Sequence, residues 1–332
     1  MNKKIIKHIR TTEFYLALFL ALILIFLAFA ANGFYAVNNL MGVLNAFSYI
    51  LIAAIGMNMI IITSNIDVST GALISVICIC VAGLGKLNVP FLGLLVAAVI
   101  IGIVLSTLNG LFITRLNIPA IVATLATTQI FQGILPLTVG GAIYDLPASF
   151  TWLAFDAKIG GIIPASVLIC LVITVVAIWF MKYSRFSKKI YAVGNNKECA
   201  RLSGINVNRT VIITYAIAGA LFGVTALIIA TAGQRVTTTM GSGLEMTFIA
   251  AVVLGGTSTA GGSGRILGTV FGAFILAMIA PAINYLGISP NWSDAVKGII
   301  IIGSVVASAA KGFKKKRVIN MGTVSKVEER VA

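Results

Sequence analysis

Apolar residues in this chain come in long uncharged runs separated by short polar stretches. Two of the runs, Leu87 to Thr114 and Leu116 to Tyr144, each exceed the ~20 residues that a helix needs to cross the ~30 Å hydrocarbon layer of a bilayer. In order, the pattern predicts spans at Phe14–Ala31, Val43–Thr63, Asp67–Gly85, Phe91–Ile113, Ile118–Val139, Ile162–Met181, Thr210–Ala232, Met246–Gly256, Ile266–Leu286 and Asp294–Ala310. The eighth is short and the tenth contains Lys297, so about ten transmembrane helices are expected, within a range of eight to eleven. The expected fold class is an all-α polytopic membrane protein. Residues 1–310 form a single transmembrane domain, and 311–332 a basic tail expected to be disordered.

Composition agrees. The chain is 59% hydrophobic and 10% charged, with a mean hydropathy of +1.06, against roughly 25% charged residues in ordinary soluble domains. No polar stretch is long enough to close a soluble core of its own. The N-terminus imitates a signal peptide, with Lys3, Lys4, Lys7 and Arg10 ahead of an apolar run that ends in Ala28-Phe29-Ala30. That run is longer than a usual signal core and reads as a retained first span.

The net charge of +15 would suggest nucleic acid in a soluble protein, but its placement points to a membrane. Most basic residues lie before Arg10, between Lys182 and Arg209, or beyond Lys311. With the N-terminus inside, ten spans put all three stretches, together with Arg115 and Arg265, on the cytoplasmic side, as the positive-inside rule requires. Only Lys86, Lys158 and Arg235 then lie outside. The outer connections are Asn32–Gly42, Gly140–Gly161 and Gly233–Glu245; the second carries Trp152 and Phe155, suited to the membrane interface.

The stretch from Lys182 to Arg209 is the one sizeable polar loop between the apolar halves. Its centre, Gly194 to Gly204, reads as a short helix. Asn195 is expected to cap it, with Glu198 placed to bond back to the cap. Gly204 is expected to end it in a left-handed turn, with Ile205 as the apolar contact beyond. Such a helix is either a docking piece for a soluble partner or a solvated connector.

Catalytic chemistry is hard to find. One histidine and nine acids provide no Ser/His/Asp arrangement and no metal cluster. Cys78, Cys80, Cys170 and Cys199 lack metal-ligand spacing and read as packing residues or reduced thiols. The run Gly255 to Gly264 is glycine-rich but lacks the lysine of a phosphate loop, so ATP is not expected to be hydrolysed by this chain. It reads as a structural turn of Gly255, Gly256 and Gly261, anchored at the inner surface by Arg265.

Three acidic positions lie at the membrane. Ser64-Asn65-Ile66-Asp67-Val68-Ser69-Thr70-Gly71 interrupts an apolar stretch, and irregular backbone at membrane depth is tolerated only where it lines a cavity or is buried in protein. Asn65, Asp67 and Ser69 are candidates for a solute path; Asp67 as a helix cap is the plainer role. Glu245 and Asp294 look like helix N-terminal acids, with a path role for Glu245 as the alternative. Gly219/Gly223 and Gly268/Gly272 are small-residue pairs at helix-packing spacing, expected to serve contacts within the chain. The scarcity of intramembrane charge argues against an ion-driven machine and for an external energy source.

Several motifs carry a resemblance. Val193-Gly194-Asn195, Ala200-Arg201-Leu202-Ser203-Gly204-Ile205-Asn206, the stretch Ala250 to Ser258 and Gly261-Gly262-Ser263-Gly264-Arg265-Ile266-Leu267-Gly268 resemble the permease subunits of ribose-type (monosaccharide) ABC importers, within the branched-chain/ribose permease superfamily. Asn65 to Gly71 is similar to that family's Gly-Ile-Asp-Leu-Ser-Val-Gly stretch. The similarity runs from about Phe14 to Ala310.

The resemblance implies a type II ABC-importer-like permease of the bacterial inner membrane. It pairs with a second permease subunit, docks cytoplasmic ATPase subunits that bind the ATP, and receives solute from a periplasmic binding protein. The chain itself then holds no cofactor, and no nucleic acid. The resemblance also implies a coupling helix around Gly194, Asn195, Glu198, Ala200, Arg201, Leu202 and Gly204. Ser64-Asn65 stands where the family has Gly-Gly, and Asn196-Lys197 where its loop has small or acidic residues. The alternatives are the same machine carrying an autoinducer-2-like compound, a nucleoside or another polar metabolite; an ion-coupled transporter centred on Asp67; and, more remote, a membrane-embedded enzyme.

Overall fold

The computed structural model describes residues 12–143, 145–147, 150, 151, 153, 157–159, 163–300, 302 and 303. The basic N-terminus, Trp152, Phe155, the end of the tenth expected span and the basic tail lie outside them. The helices follow the apolar runs: α1 Thr12–Ala30, α2 Val37–Ile62, α3 Thr70–Lys86, α4 Phe91–Arg115, α5 Ala120–Val139 and α6 Ala165–Tyr183. The basic stretch folds into α7, Arg185–Asn195, and α8, Lys197–Leu202. Then come α9 Val207–Ala230, α10 Leu244–Leu254, α11 Ile266–Tyr285 and a helix α12 described over 292–300.

Seven of these helices (α1, α2, α4, α5, α6, α9 and α11) are long and apolar enough to cross a membrane. α3 and α10 are apolar but only 17 and 11 residues long. They stand where the third and eighth spans were expected, and α12 opens the tenth. Helix boundaries have local causes. Asn88 and Asn117, both with φ of 54°, take the left-handed turn after α3 and α4, a conformation that asparagine tolerates better than most residues. Two residues on, Pro90 and Pro119 stand at the N-caps of α4 and α5, where a missing N–H costs nothing.

α2 is the axis of the molecule. Every residue from Ile50 to Ile62 is buried, enclosed by α9, α10, α11 and α6, so this half of the helix is apolar on all sides. Its polar exception, Asn58, donates from Nδ2 to Thr257 Oγ1 (2.7 Å) and Thr269 Oγ1 (2.9 Å), tying the axis to the glycine-rich turn and to α11. α1 lies at the edge. It packs on α11 through a small cluster of Leu27, Ala31, Phe34, Val43 and Met278.

Lipid tails are as apolar as leucine, so close packing rather than the hydrophobic effect holds such helices together. Both small-residue pairs serve contacts within the chain. A side chain on Gly219 would strike the backbone of Gly102, and one on Gly223 the backbone of Ala98, which brings α9 against α4. Gly268 and Gly272 face Gly255 and Ala251 in the same way, closing the α10–α11 hairpin.

The two short helices start beside each other. Gly71, in the first turn of α3, and Gly241, just ahead of α10, approach backbone to backbone. Ser75 Oγ accepts the Gly241 N–H at 2.9 Å. α3 and α10 both start from that point, about 25 Å and 16 Å long at 1.5 Å per residue. The breaks that precede both helices therefore meet inside the bundle. At the opposite end from the basic helices, β1 (Ala142–Ile143) pairs antiparallel with β4 (Val236–Thr237), and β2 (Lys158–Ile159) pairs with β3 (Ile163–Pro164). Two of the expected outer connections are thus stitched together, and the first is shorter than expected because α2 begins at Val37.

The glycine contact between α4 and α9 sets a test. Gly219→Leu should lower stability by about 1–3 kcal/mol through overpacking. Gly83→Ala, inside α3 where a side chain would meet open space, should instead raise it by about 0.4–1 kcal/mol. Thermal unfolding midpoints in mild detergent check both.

Candidate functional site

Three stretches that stand apart in the sequence meet at one joint: the end of α2 with the polar break behind it, the end of α7, and the glycine-rich turn. The Ile62 carbonyl, left without a helical partner, accepts the N–H of Gly262 at 2.9 Å. Gly194 packs so tightly on that carbonyl that any side chain would collide with it. Ser64 Oγ lies 2.9 Å from the Gly194 carbonyl and 2.8 Å from that of Ala260, its single proton shared between them. A side chain on Gly261 would strike Ser64, and one on Gly262 would strike Asn195. Gly261 and Gly262 have φ of +87° and +69°, so glycine meets both a steric and a conformational demand here.

Ser64 itself has φ of 61°. The position calls for the left-handed region that favours glycine, the residue type this stretch carries in the family it resembles. A serine holds it by means of the hydroxyl that bridges the two neighbouring segments. Tyr191 reinforces the joint, its hydroxyl donating to the Gly264 carbonyl at 2.8 Å.

α7 was not expected as a separate helix. Ser184 caps it, accepting from the Phe186 N–H at 3.0 Å. Ser187, Ile190, Val193 and Gly194 form its buried face, while Arg185, Lys188 and Lys189 are exposed. Because α7 runs through Asn195, the next cap moves on by one residue. Asn196, not Asn195, caps α8, its Oδ1 accepting the Cys199 N–H at 2.9 Å. Glu198 then falls too early to bond back to the cap and pairs with Arg201 at 3.0 Å.

The end of α8 is as expected. Gly204 has φ of +77°, its N–H bonds to the Arg201 carbonyl, and the Ile205 N–H bonds to that of Ala200, each at 3.0 Å. This is a Schellman closure. Ala200 is buried; Glu198 and Arg201 face solvent, and Leu202 is 82% exposed. An exposed apolar side chain beside an exposed ion pair, on a helix tied to the joint, makes a contact surface. Gly255 is pressed against the backbone of Gly268, Gly256 is exposed with φ of +86°, and Arg265 pairs with Glu13 of α1 at 3.0 Å.

Beyond the joint the polar break turns into the bundle. Asp67 Oδ1 accepts from the Ser69 N–H (2.8 Å) and hydroxyl (2.6 Å), an aspartate turn set just ahead of α3. Asn109 of α4 donates to Ser69 Oγ at 2.7 Å and accepts from Thr127 of α5 at 2.7 Å. Thr124 Oγ1 accepts the Val68 N–H at 3.2 Å. Asn65 folds back on Thr63, 2.9 Å from its hydroxyl.

Asp67 and Ser69 are fully enclosed and Asn65 nearly so. Asp67 Oδ2, Ser106 Oγ and the Tyr215 hydroxyl are buried with no hydrogen-bond partner among the described residues. Asn109, Thr127 and Tyr215 were not singled out in the sequence. The signal available was a lone polar residue inside an uncharged run. Glu245 is placed differently: half-buried in the first turn of α10, its Oε2 lies against Gly71 and has no hydrogen-bond partner.

The family model described as branched-chain amino acid transport system / permease component matches residues 39–305. The ribose import permease protein RbsC of Escherichia coli is 33% identical over 284 residues, covering 84% of this chain and 88% of its own length. RbsC of Haemophilus influenzae is 31% identical over 289 residues, 85% of this chain and 88% of its own. The autoinducer 2 import system permease protein LsrC of Salmonella typhi is 31% identical over 283 residues, 85% of this chain and 81% of its own. No solved structure matches the chain.

The joint yields a local test. Ser64→Ala removes the donor from the buried Gly194 carbonyl and from the exposed one of Ala260, so stability should fall by about 1 kcal/mol. Hydrogen exchange should quicken at 192–196 and 259–263 and stay unchanged at the β1–β4 ladder.

Proposed function

The chain belongs to the family of branched-chain amino acid transport system permease components, and on that premise we propose that it is the membrane-spanning subunit of a binding-protein-dependent ABC importer in a bacterial inner membrane. The basic helices α7 and α8 face the cytoplasm, as their charge favours. Two copies, or this chain and a related one, enclose the path. A cytoplasmic ATPase subunit binds the ATP and docks on α8, and a periplasmic binding protein delivers solute to the opposite face.

The observation that carries this reading is the joint between Gly194, Ile62, Ser64 and Gly262. α8 follows directly from it, so displacement of α8 moves the end of α2 and the glycine-rich turn together. One leads through the polar break to α3; the other is the exit from α10. ATP-driven closure of the docked subunits would thereby shift the population between inward- and outward-facing states. Glu198 and Arg201 are the polar docking contacts and Leu202 the apolar anchor. Gly255, Gly256, Gly261 and Arg265 shape the turn that carries the motion.

Within the path, Glu245 is the contact residue. Asn65, Asp67 and Ser69 stand behind it as the buried brace that holds α3 in register. The RbsC relatives support a monosaccharide or a related polar solute as cargo. The LsrC relatives, similar over nearly the same share of the chain, support a sugar-derived signal of the autoinducer-2 type as the second reading.

Arg201→Glu tests the docking role. Uptake through the assembled importer should fall roughly 5- to 150-fold, the range expected for loss of a coupling free energy of about 1–3 kcal/mol, with the chain at normal membrane levels. Unimpaired uptake would remove α8 from the mechanism. Glu245→Gln should reduce uptake while co-purification of the ATPase subunit stays intact; an unchanged rate would move the path elsewhere.

A further inference from the structure

A cavity of about 390 Å³ opens between the end of α6, the exposed side of α7 and the start of α11. Lys182, Arg265 and Tyr191 supply its polar wall, and Ile178, Met181 and Leu267 its apolar one. Arg265 spends one N–H on Glu13, and a guanidinium has five, so most of its donors are left for a ligand. Among the described residues Lys182 Nζ has no hydrogen-bond partner, and it rests 5.0 Å from the ring centre of Tyr183. Burial pushes the Tyr191 phenol above its ordinary range while the Arg265 charge draws it back, which marks the two groups as electrostatic neighbours. Arg185, Lys188 and Lys189 extend the positive field along the exposed side of α7.

The exposed surface of α6 leading away from the cavity is of opposite character. α6 carries an exposed stripe of Leu168, Leu171, Val172, Val175 and Val176 that runs down to Trp179 and Tyr183, 62% and 60% exposed. Leu267 continues it on α11. Apolar residues above, an aromatic pair at the boundary and cations below are the profile of one bilayer leaflet, the aromatics sitting at headgroup depth. A ligand matching this cavity has a compact anion at one end and hydrocarbon at the other.

We infer that this cavity is a binding site for an acidic phospholipid, its phosphate held by Lys182 and Arg265 and its acyl chains lying along Leu267 and the α6 stripe. Basic pockets at the headgroup end of membrane helices suit such lipids. Arg265 begins α11, and Tyr191 is bonded to the Gly264 carbonyl, so the lipid would rest on the same turn that meets Gly194. Placing it in the cytoplasmic leaflet rests on the orientation proposed above; the site itself does not.

The test is native mass spectrometry of the full chain in mild detergent, offered equal amounts of dioleoyl phosphatidylglycerol and dioleoyl phosphatidylcholine. The intact chain should retain phosphatidylglycerol in preference. Lys182→Gln should cut that preference roughly fivefold, the effect expected for one basic side chain at a lipid headgroup, and Lys182→Arg should restore it. Lys182 is exposed, so its replacement leaves packing untouched; a monodisperse elution profile checks this. Equal retention of the two lipids, or a preference that survives Lys182→Gln, would overturn the site. So would displacement of the phosphatidylglycerol by millimolar glycerol 3-phosphate, which would show that a soluble anion is the ligand. Each of these outcomes is read without transport, so the importer assignment stands or falls separately.

Discussion

The constraint on which the structure depends is the carbonyl of Ile62. Inside a membrane protein a helix that stops must find partners for its last backbone groups from the protein itself, because the hydrocarbon offers none. α2 stops at Ile62, and its open end is completed by the Gly262 N–H and covered by Gly194. Neither contact tolerates a side chain. The demand for backbone satisfaction at one helix end thus selects glycines in two other segments, far apart in sequence, and positions both the basic helices and the α10–α11 hairpin. Asn58 repeats the logic one turn higher, with Thr257 and Thr269 as its partners.

A second consequence of broken helices is the meeting of α3 and α10. Each begins inside the bundle, and their starts touch at Gly71 and Gly241. Around that contact the protein has concentrated its buried polarity: Asp67 and Ser69 on one strand of the break, Asn109 and Thr127 on flanking helices, and Glu245 on the partner side. Polar groups in such a place are costly unless bonded. Most are bonded, which fixes the geometry. Asp67 Oδ2, Glu245 Oε2, the Tyr215 hydroxyl and Ser106 Oγ are the exceptions among the described residues, so these groups keep bonding capacity that the bundle does not use.

How legible was this in the sequence? The long helices were, because uncharged runs of sufficient length admit few other structures, and α1, α4, α5 and α11 begin and end close to where the apolar runs do. The close of α8 was also legible, since Gly204-Ile205 is a local signal that needs nothing from the rest of the chain. Its opening was misplaced by one residue. Asn195 and Asn196 are equally good caps, and the choice was made by α7, which extends through Asn195 because Val193 is buried and Gly194 packs on the end of α2 at Ile62. The joint was not legible. Gly194, Ser64 and Gly262 are unremarkable singly and become a unit only through backbone contacts between distant segments. Nor was the burial of Asp67, because a polar break reads the same whether it lines a path or is braced within the bundle.

The small ladder between Ala142–Ile143 and Val236–Thr237 gives the rim opposite the basic helices a mechanical character. The connection after α5 and the one leading into α10 cannot slide past each other without tearing that ladder. They behave as one plate, and a short run of chain from Thr237 through Gly241 links the plate to Glu245. That run is not slack loop: the Met240 N–H bonds to the Thr237 carbonyl, the Ser242 N–H to that of Thr239 and the Leu244 N–H to that of Gly241. With so little chain between ladder and helix, any displacement of α10 would pull on this rim, and any displacement of the rim on α10.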